Sequence, residues 1–192
     1  MNRREALSSV ALLLGGTIVG AEAFLSGCKI ADKKMSTTDF TPENIAFLDE
    51  VGETILPTTA SSPGAKDVKI GEFMKTIVTD CYEDADHKIF MDGIGKLNDA
   101  SKAKFSKDFM DLTPEQKHDL LVALDTEAKE YKKQNEGNKN APKHYFALMK
   151  QLTVWGYFTS EPGATKALRY VAVPGRYEGC IPYKKGDKAW AT

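Results

Sequence analysis

The sequence predicts an all-α fold: a single helical domain of about five to six helices that ends in an irregular, aromatic-rich C-terminal arm. Three observations carry this. Apolar residues recur at spacings of three and four along most of the chain, and no stretch of useful length alternates as a strand would. Proline and a carboxylate follow threonine in Thr41-Pro42-Glu43 and Thr113-Pro114-Glu115, the pattern of a helix N-terminus. From Ser160 onward periodicity fails after a short helical piece, where Pro and Gly recur too often for a long helix while tyrosine and tryptophan persist.

Residues 1–27 stand outside that domain. Arg3 and Arg4 precede an uncharged run from Ala6 to Ala21, the basic-then-apolar order of a bacterial export signal. The run is interrupted by Gly15, Gly16 and Gly20 and closed by Glu22, short of the roughly 20 apolar residues that span a bilayer. Asn2-Arg3-Arg4-Glu5-Ala6-Leu7 resembles a twin-arginine signal, whose route carries proteins already folded, although general secretory signals also open on basic pairs.

Leu25-Ser26-Gly27-Cys28 resembles a lipobox, in which the Cys28 sulfur accepts diacylglycerol and becomes the mature N-terminus. The alternative is a free cysteine beside an ordinary cleavage site. Each buried methylene contributes about 0.8 kcal/mol, so several acyl chains tether a soluble domain to membrane lipid without inserting it. The expected location is the cell envelope, lipid-anchored at a membrane and facing the periplasm. Residues 28–40, polar and short of large apolar side chains, read as the lipidated tether, and residues 41–192 as the domain.

Within the domain, Ile45, Leu48, Val51 and Ile55 mark a first helix from about Pro42 to Leu56. The stretch PTTASSPGAK, residues 57–66, is a loop. Phe73, Ile77, Val78 and Cys81 mark a second helix from Ile70, with Cys81 expected as a buried free thiol on its apolar face. Ile89, Phe90, Ile94 and Leu97 mark a third, weakened by Gly93 and Gly95. Leu120, Leu121 and Leu124 continue a fourth from Pro114 to about Lys133, and QNEGNKNAP breaks it. His144 to Phe158 is the most apolar helix, with Tyr145, Leu148, Leu152, Trp155 and Tyr157 or Phe158 available for burial. A short helical piece near Leu168 follows. SSPGA at residues 61–65 is echoed by SEPGA at 160–164, which reads as a Pro-Gly turn before each helix.

Composition excludes some functions. The net charge is −1, and residues 1–27 hold two arginines and two glutamates, so the remainder keeps that charge. Lysines and carboxylates are interspersed, which argues against a nucleic-acid surface. His87, His118 and His144 have no second ligand at helical spacing, so no metal site is indicated. Cys-x-x-Cys-His, Gly-x-Gly-x-x-Gly after a strand, and Gly-x-Ser-x-Gly are absent, which leaves no recognisable catalytic residue or cofactor site in this chain. Cys81 and Cys180 could pair, stay free or bond to another chain.

Three blocks carry a family resemblance: Glu53-Thr54-Ile55-Leu56-Pro57 with Ser62-Pro63-Gly64-Ala65; Trp155-Gly156-Tyr157-Phe158-Thr159-Ser160-Glu161-Pro162-Gly163-Ala164; and Tyr170 with Pro174-Gly175-Arg176-Tyr177-Glu178-Gly179-Cys180. Together they resemble the gluconate 2-dehydrogenase subunit 3 family, the small non-flavin subunit of membrane-bound sugar and sugar-acid dehydrogenases. The resemblance implies a large partner of the glucose-methanol-choline oxidoreductase type that binds FAD, and a cytochrome c subunit carrying haem, or another acceptor, for its electrons. This chain would escort, stabilise and anchor that partner. Aromatic residues and arginine are enriched where interfaces bury their centres, so the candidate partner interface is Trp155, Tyr157, Phe158, Glu161, Tyr170, Arg176, Tyr177, Cys180, Tyr183 and Trp190. The arm that holds most of them could instead wrap over its own helices. The competing class is a stand-alone helical lipoprotein that binds something unrelated to flavin chemistry.

Overall fold

The computed structural model describes residues 40–138, 140–173, 175, 176 and 179–191; Arg3, Arg4, Cys28 and Tyr177 lie outside them. The fold is all-α, with five α-helices among the described residues: α1 Pro42–Ile55, α2 Ile70–Cys81, α3 Asp84–Phe105, α4 Pro114–Gln134 and α5 Tyr145–Thr159. Short 3-10 turns at Lys66–Val68 and Phe109–Asp111 and a π turn at Gly163–Ala167 complete the order. Among the described residues the sole β pairing is an isolated parallel bridge between Arg169 and Trp190.

The helix starts follow local chemistry. The Thr41 hydroxyl accepts from the Asn44 N–H at 3.2 Å ahead of α1. Before α4, Thr113 and Gln116 exchange hydrogen bonds of 3.1 and 3.3 Å in a capping box. Ahead of α5 the cap is His144, whose Nδ1 accepts from the Phe146 N–H at 3.3 Å. The 3-10 turn between α3 and α4 is pinned from α3: Asn98 accepts from the Phe109 N–H at 2.8 Å, and the buried Ser101 hydroxyl donates to the Lys107 carbonyl at 2.8 Å. Phe109 is thereby driven into the core against Phe47, 5.2 Å between ring centres.

α5 touches all four other helices, which explains its apolar character on almost every side. Close approach to it requires glycine. At Gly93 on α3 an added Cβ would sit 2.7 Å from the Tyr145 side chain, and at Gly156 on α5 it would collide with Phe73 and Ile70 of α2. Gly93 is therefore a packing contact and not merely a weak point in α3, while Gly95 faces open space.

Two further expectations are corrected, and the bounds of a third are sharpened. Cys81 is exposed, because the buried row of α2 is Ile70, Met74 and Val78, and Cys81 is the last residue of the helix. The short helical piece ends at Ala167, and Leu168 is already extended. The two Pro-Gly pairs also differ: Pro63-Gly64 precedes a 3-10 turn and α2, whereas Pro162 has helical angles and Gly163 begins the π turn itself.

Candidate partner interface

The first and second resemblance blocks converge on one structure, the loop from Pro57 to Ala65. Glu53, near the end of α1, binds it from within: its carboxylate accepts from the Thr58 N–H at 2.8 Å, the Thr58 hydroxyl at 3.0 Å and the Lys66 N–H at 3.0 Å. Asp67 reaches back to accept from the Gly64 N–H at 3.1 Å. From α5 the Tyr157 hydroxyl donates to the Pro63 carbonyl at 2.6 Å, across 94 positions of sequence. Tyr157 is only 3 % exposed, so it belongs to the core and is removed from the candidate interface. Its partner is the chain's own loop.

Beside the loop lies a charged cluster. Glu50 accepts from Lys117 of α4 at 2.8 Å and from Lys66 at 2.7 Å. Lys117, nearly buried, also sits over the Phe109 ring at 5.7 Å. Hydrogen bonds from Lys117 first and Lys66 second hold the Glu50 carboxyl below its ordinary range. Asp49 moves the other way, because burial raises its carboxyl more than the Gly71 N–H lowers it. These groups join α1, α2 and α4, and among the described residues no cluster of His, Cys, Asp or Glu could hold a metal ion.

The next residues turn outward. Trp155 stands edge-on to Phe73 at 5.5 Å yet is 49 % exposed, and Phe158 and Val154 are exposed on the same helix. Trp155 was expected to be available for burial, but Phe146, Met149 and Thr153 take the inward positions with Leu148 and Leu152. Ser160 closes the helix by donating to the Tyr157 carbonyl at 2.6 Å and accepting from the Gly163 N–H at 3.1 Å. Glu161 is exposed on the turn that follows.

Beyond that turn, every described residue from 170 to 190 is exposed. The arm is closed at its base, where the Arg169 N–H donates to the Ala189 carbonyl at 2.8 Å and the Ala191 N–H to the Arg169 carbonyl at 2.9 Å. The Arg169 guanidinium lies 4.7 Å from the Trp190 ring centre. Tyr170, Arg176, Cys180, Tyr183 and Trp190 are thus all accessible, with Tyr183 76 % exposed. Cys180 and Cys81 are both free thiols. The described residues 170–190 are therefore not covered by the chain's own helices.

Sequence reasoning missed Val171, Val173 and Ile181, which share the exposed arm, and the Glu50 cluster. A valine among turns gives no periodic signal, and Glu50 and Lys117 are 67 positions apart. The arrangement offers apolar contact area on two supports, a helix edge at Val154, Trp155 and Phe158 and the exposed described residues of the loop at 170–190, which is closed at its base.

No helix among the described residues is long and apolar enough to cross a membrane. A family model described as Gluconate 2-dehydrogenase subunit 3 matches residues 42–175, from the first residue of α1 into the arm. No curated protein and no solved structure matches.

Proposed function

Because the chain belongs to the gluconate 2-dehydrogenase subunit 3 family, we propose that it is the non-catalytic small subunit of a membrane-associated, FAD-dependent sugar or gluconate dehydrogenase. In this reading it escorts a flavoprotein of the glucose-methanol-choline type through export, stabilises it, and holds it at the membrane through a lipid on Cys28. FAD resides in that large subunit, and the electrons leave it for a cytochrome c subunit with its haem, or for another acceptor.

The observation that supports this reading is the placement of exposed apolar residues. Of eleven large hydrophobic side chains exposed among the described residues, nine lie between Val154 and Trp190. Exposed apolar side chains so concentrated in one stretch of the chain support an interaction role for it, since burying apolar area contributes roughly 25 cal/mol per Å² before the costs of association. Trp155 and Phe158 are held by α5 and need little ordering. The arm, with Tyr170, Tyr183 and Trp190, adapts to the partner at a larger entropic cost.

A mild-detergent purification of this chain from its native membrane tests the proposal. The expected eluate contains a stoichiometric large subunit with flavin absorbance. Replacing Arg3 and Arg4 by Lys is expected to remove both proteins from the envelope, and Cys28→Ser to release the pair from the membrane fraction. A colourless, unaccompanied protein would contradict the escort reading.

A further inference from the structure

We propose that the trough between α4 and α5 docks an acidic amphipathic helix of a partner subunit, an inference that rests on the accessory-subunit reading above. The two helices run antiparallel: Asp125 of α4 meets Lys150 of α5 at 2.6 Å, Glu127 lies 3.5 Å from His144, and a turn further along α4 the Tyr131 hydroxyl donates to the Pro142 carbonyl, just ahead of α5, at 3.0 Å. Between the Asp125 and Tyr131 contacts the shared lining residues include Ala128 and Ala147, too small to fill the space. Two adjoining concavities of about 360 and 480 Å³ result, and they share Ala128, Lys132 and Ala147, so they form one trough.

Its dimensions and chemistry specify the occupant. From Asp125 to Asn135 the trough spans about 15 Å, or roughly three turns at a rise of about 1.5 Å per residue. An alanine floor allows another helix to approach at the close end of the usual 8–10 Å interaxial range. The floor continues through Leu148 to Val154 and opens at Trp155, where it joins the proposed interface.

The banks are cationic. Lys129 and Lys150 both bind Asp125, the sole carboxylate among the lining residues, at 2.7 and 2.6 Å. Lys143 at the far end is paired with Asp86, but around Lys129, Lys132 and Lys150 one carboxylate shared by two ammonium groups leaves positive charge in excess. Lys132, in the middle of the trough, has no ion pair among the described residues. A helix with an apolar stripe for Ala128, Ala147 and Val154 and with Asp or Glu along its flanks is complementary in both shape and charge.

Zero-length carbodiimide cross-linking of the detergent-solubilised native complex, mapped by mass spectrometry, tests this because it joins only amines and carboxylates already in contact. The expected products link Lys132 and Lys150 to Asp or Glu residues spaced three or four apart in one partner segment. In parallel, Ala147→Trp fills the trough and Lys132→Glu reverses its charge. Recovery of the large subunit is expected to fall about tenfold and about threefold respectively, with the thermal melting of the free chain unchanged. Links from these lysines only within the chain, to a second copy of it, or to a non-helical segment, with the large subunit still recovered, would overturn the docking proposal and leave the subunit reading intact. Failure of the wild-type chain to recover any large subunit would overturn both.

Discussion

The helical body and the C-terminal arm achieve order by different means. In the body, residues far apart in sequence close on one another: Glu50 with Lys117, Tyr157 with Pro63, and Gly156 with Phe73 and Ile70. The described part of the arm closes at its base, through the Arg169 and Trp190 pairing and the nearby contact of Lys188 with the Lys166 carbonyl. The family-like motifs divide along the same line. Glu53, Pro63, Gly156 and Tyr157 serve the chain's own packing, whereas Trp155, Phe158 and the arm face outward. A motif residue is therefore not an interface residue by default, and burial separates the two groups.

Substitutions ordered by their effect on the free chain sharpen this contrast. Phe109→Ala removes a fully buried ring and is expected to destabilise the body by about 4 kcal/mol, lowering Tm by roughly 10 °C in a calorimetric scan. Lys117→Met leaves Glu50 with Lys66 alone, and a loss of about 2 kcal/mol is expected by chemical denaturation. The same pair makes stability depend on pH. The folded carboxyl of Glu50 lies below its unfolded value of about 4.3, so its contribution is complete above that pH and disappears as pH falls through the lower folded value. Glu50→Gln should flatten that part of the acid titration, measured as denaturation midpoint against pH.

Tyr157→Phe deletes one hydroxyl donor and is expected to cost about 1 kcal/mol. Its local signature is faster amide exchange at Thr58 to Ala65 with the interiors of α3 and α4 unaffected. At the small end, Tyr183→Ala is expected to change the stability of the free chain by less than about 0.5 kcal/mol, yet to reduce recovery of the large subunit. A large loss of stability from Tyr183→Ala would erase the distinction between body and arm.

Helix starts were legible because capping is local: Thr41 with Pro42 and Thr113 with Pro114 state the boundary within four residues. The inward face of α5 was not legible, because a helix in contact with four others is apolar nearly all round and its period carries little direction. That is why Trp155 and Tyr157, two residues apart, could not be sorted into exposed and buried. Gly93 looked like a helix weakness because its use depends on Tyr145, a residue of another helix. Cys81 follows the apolar row of α2 in sequence, but the core ends one turn earlier at Val78. In the arm, composition showed the aromatics, while the pairing of Arg169 with Trp190 depends on closing a loop of about twenty residues, which no local pattern announces.

The most direct test of the central claim, that the arm and the Trp155 edge are the partner surface, is hydrogen exchange of this chain alone and within the purified complex. Strong protection is expected to develop over residues 169–191 and near the C-terminal end of α5 on association, with the amides of α3 unchanged. Unchanged exchange across the arm in a complex that retains its large subunit would contradict the claim.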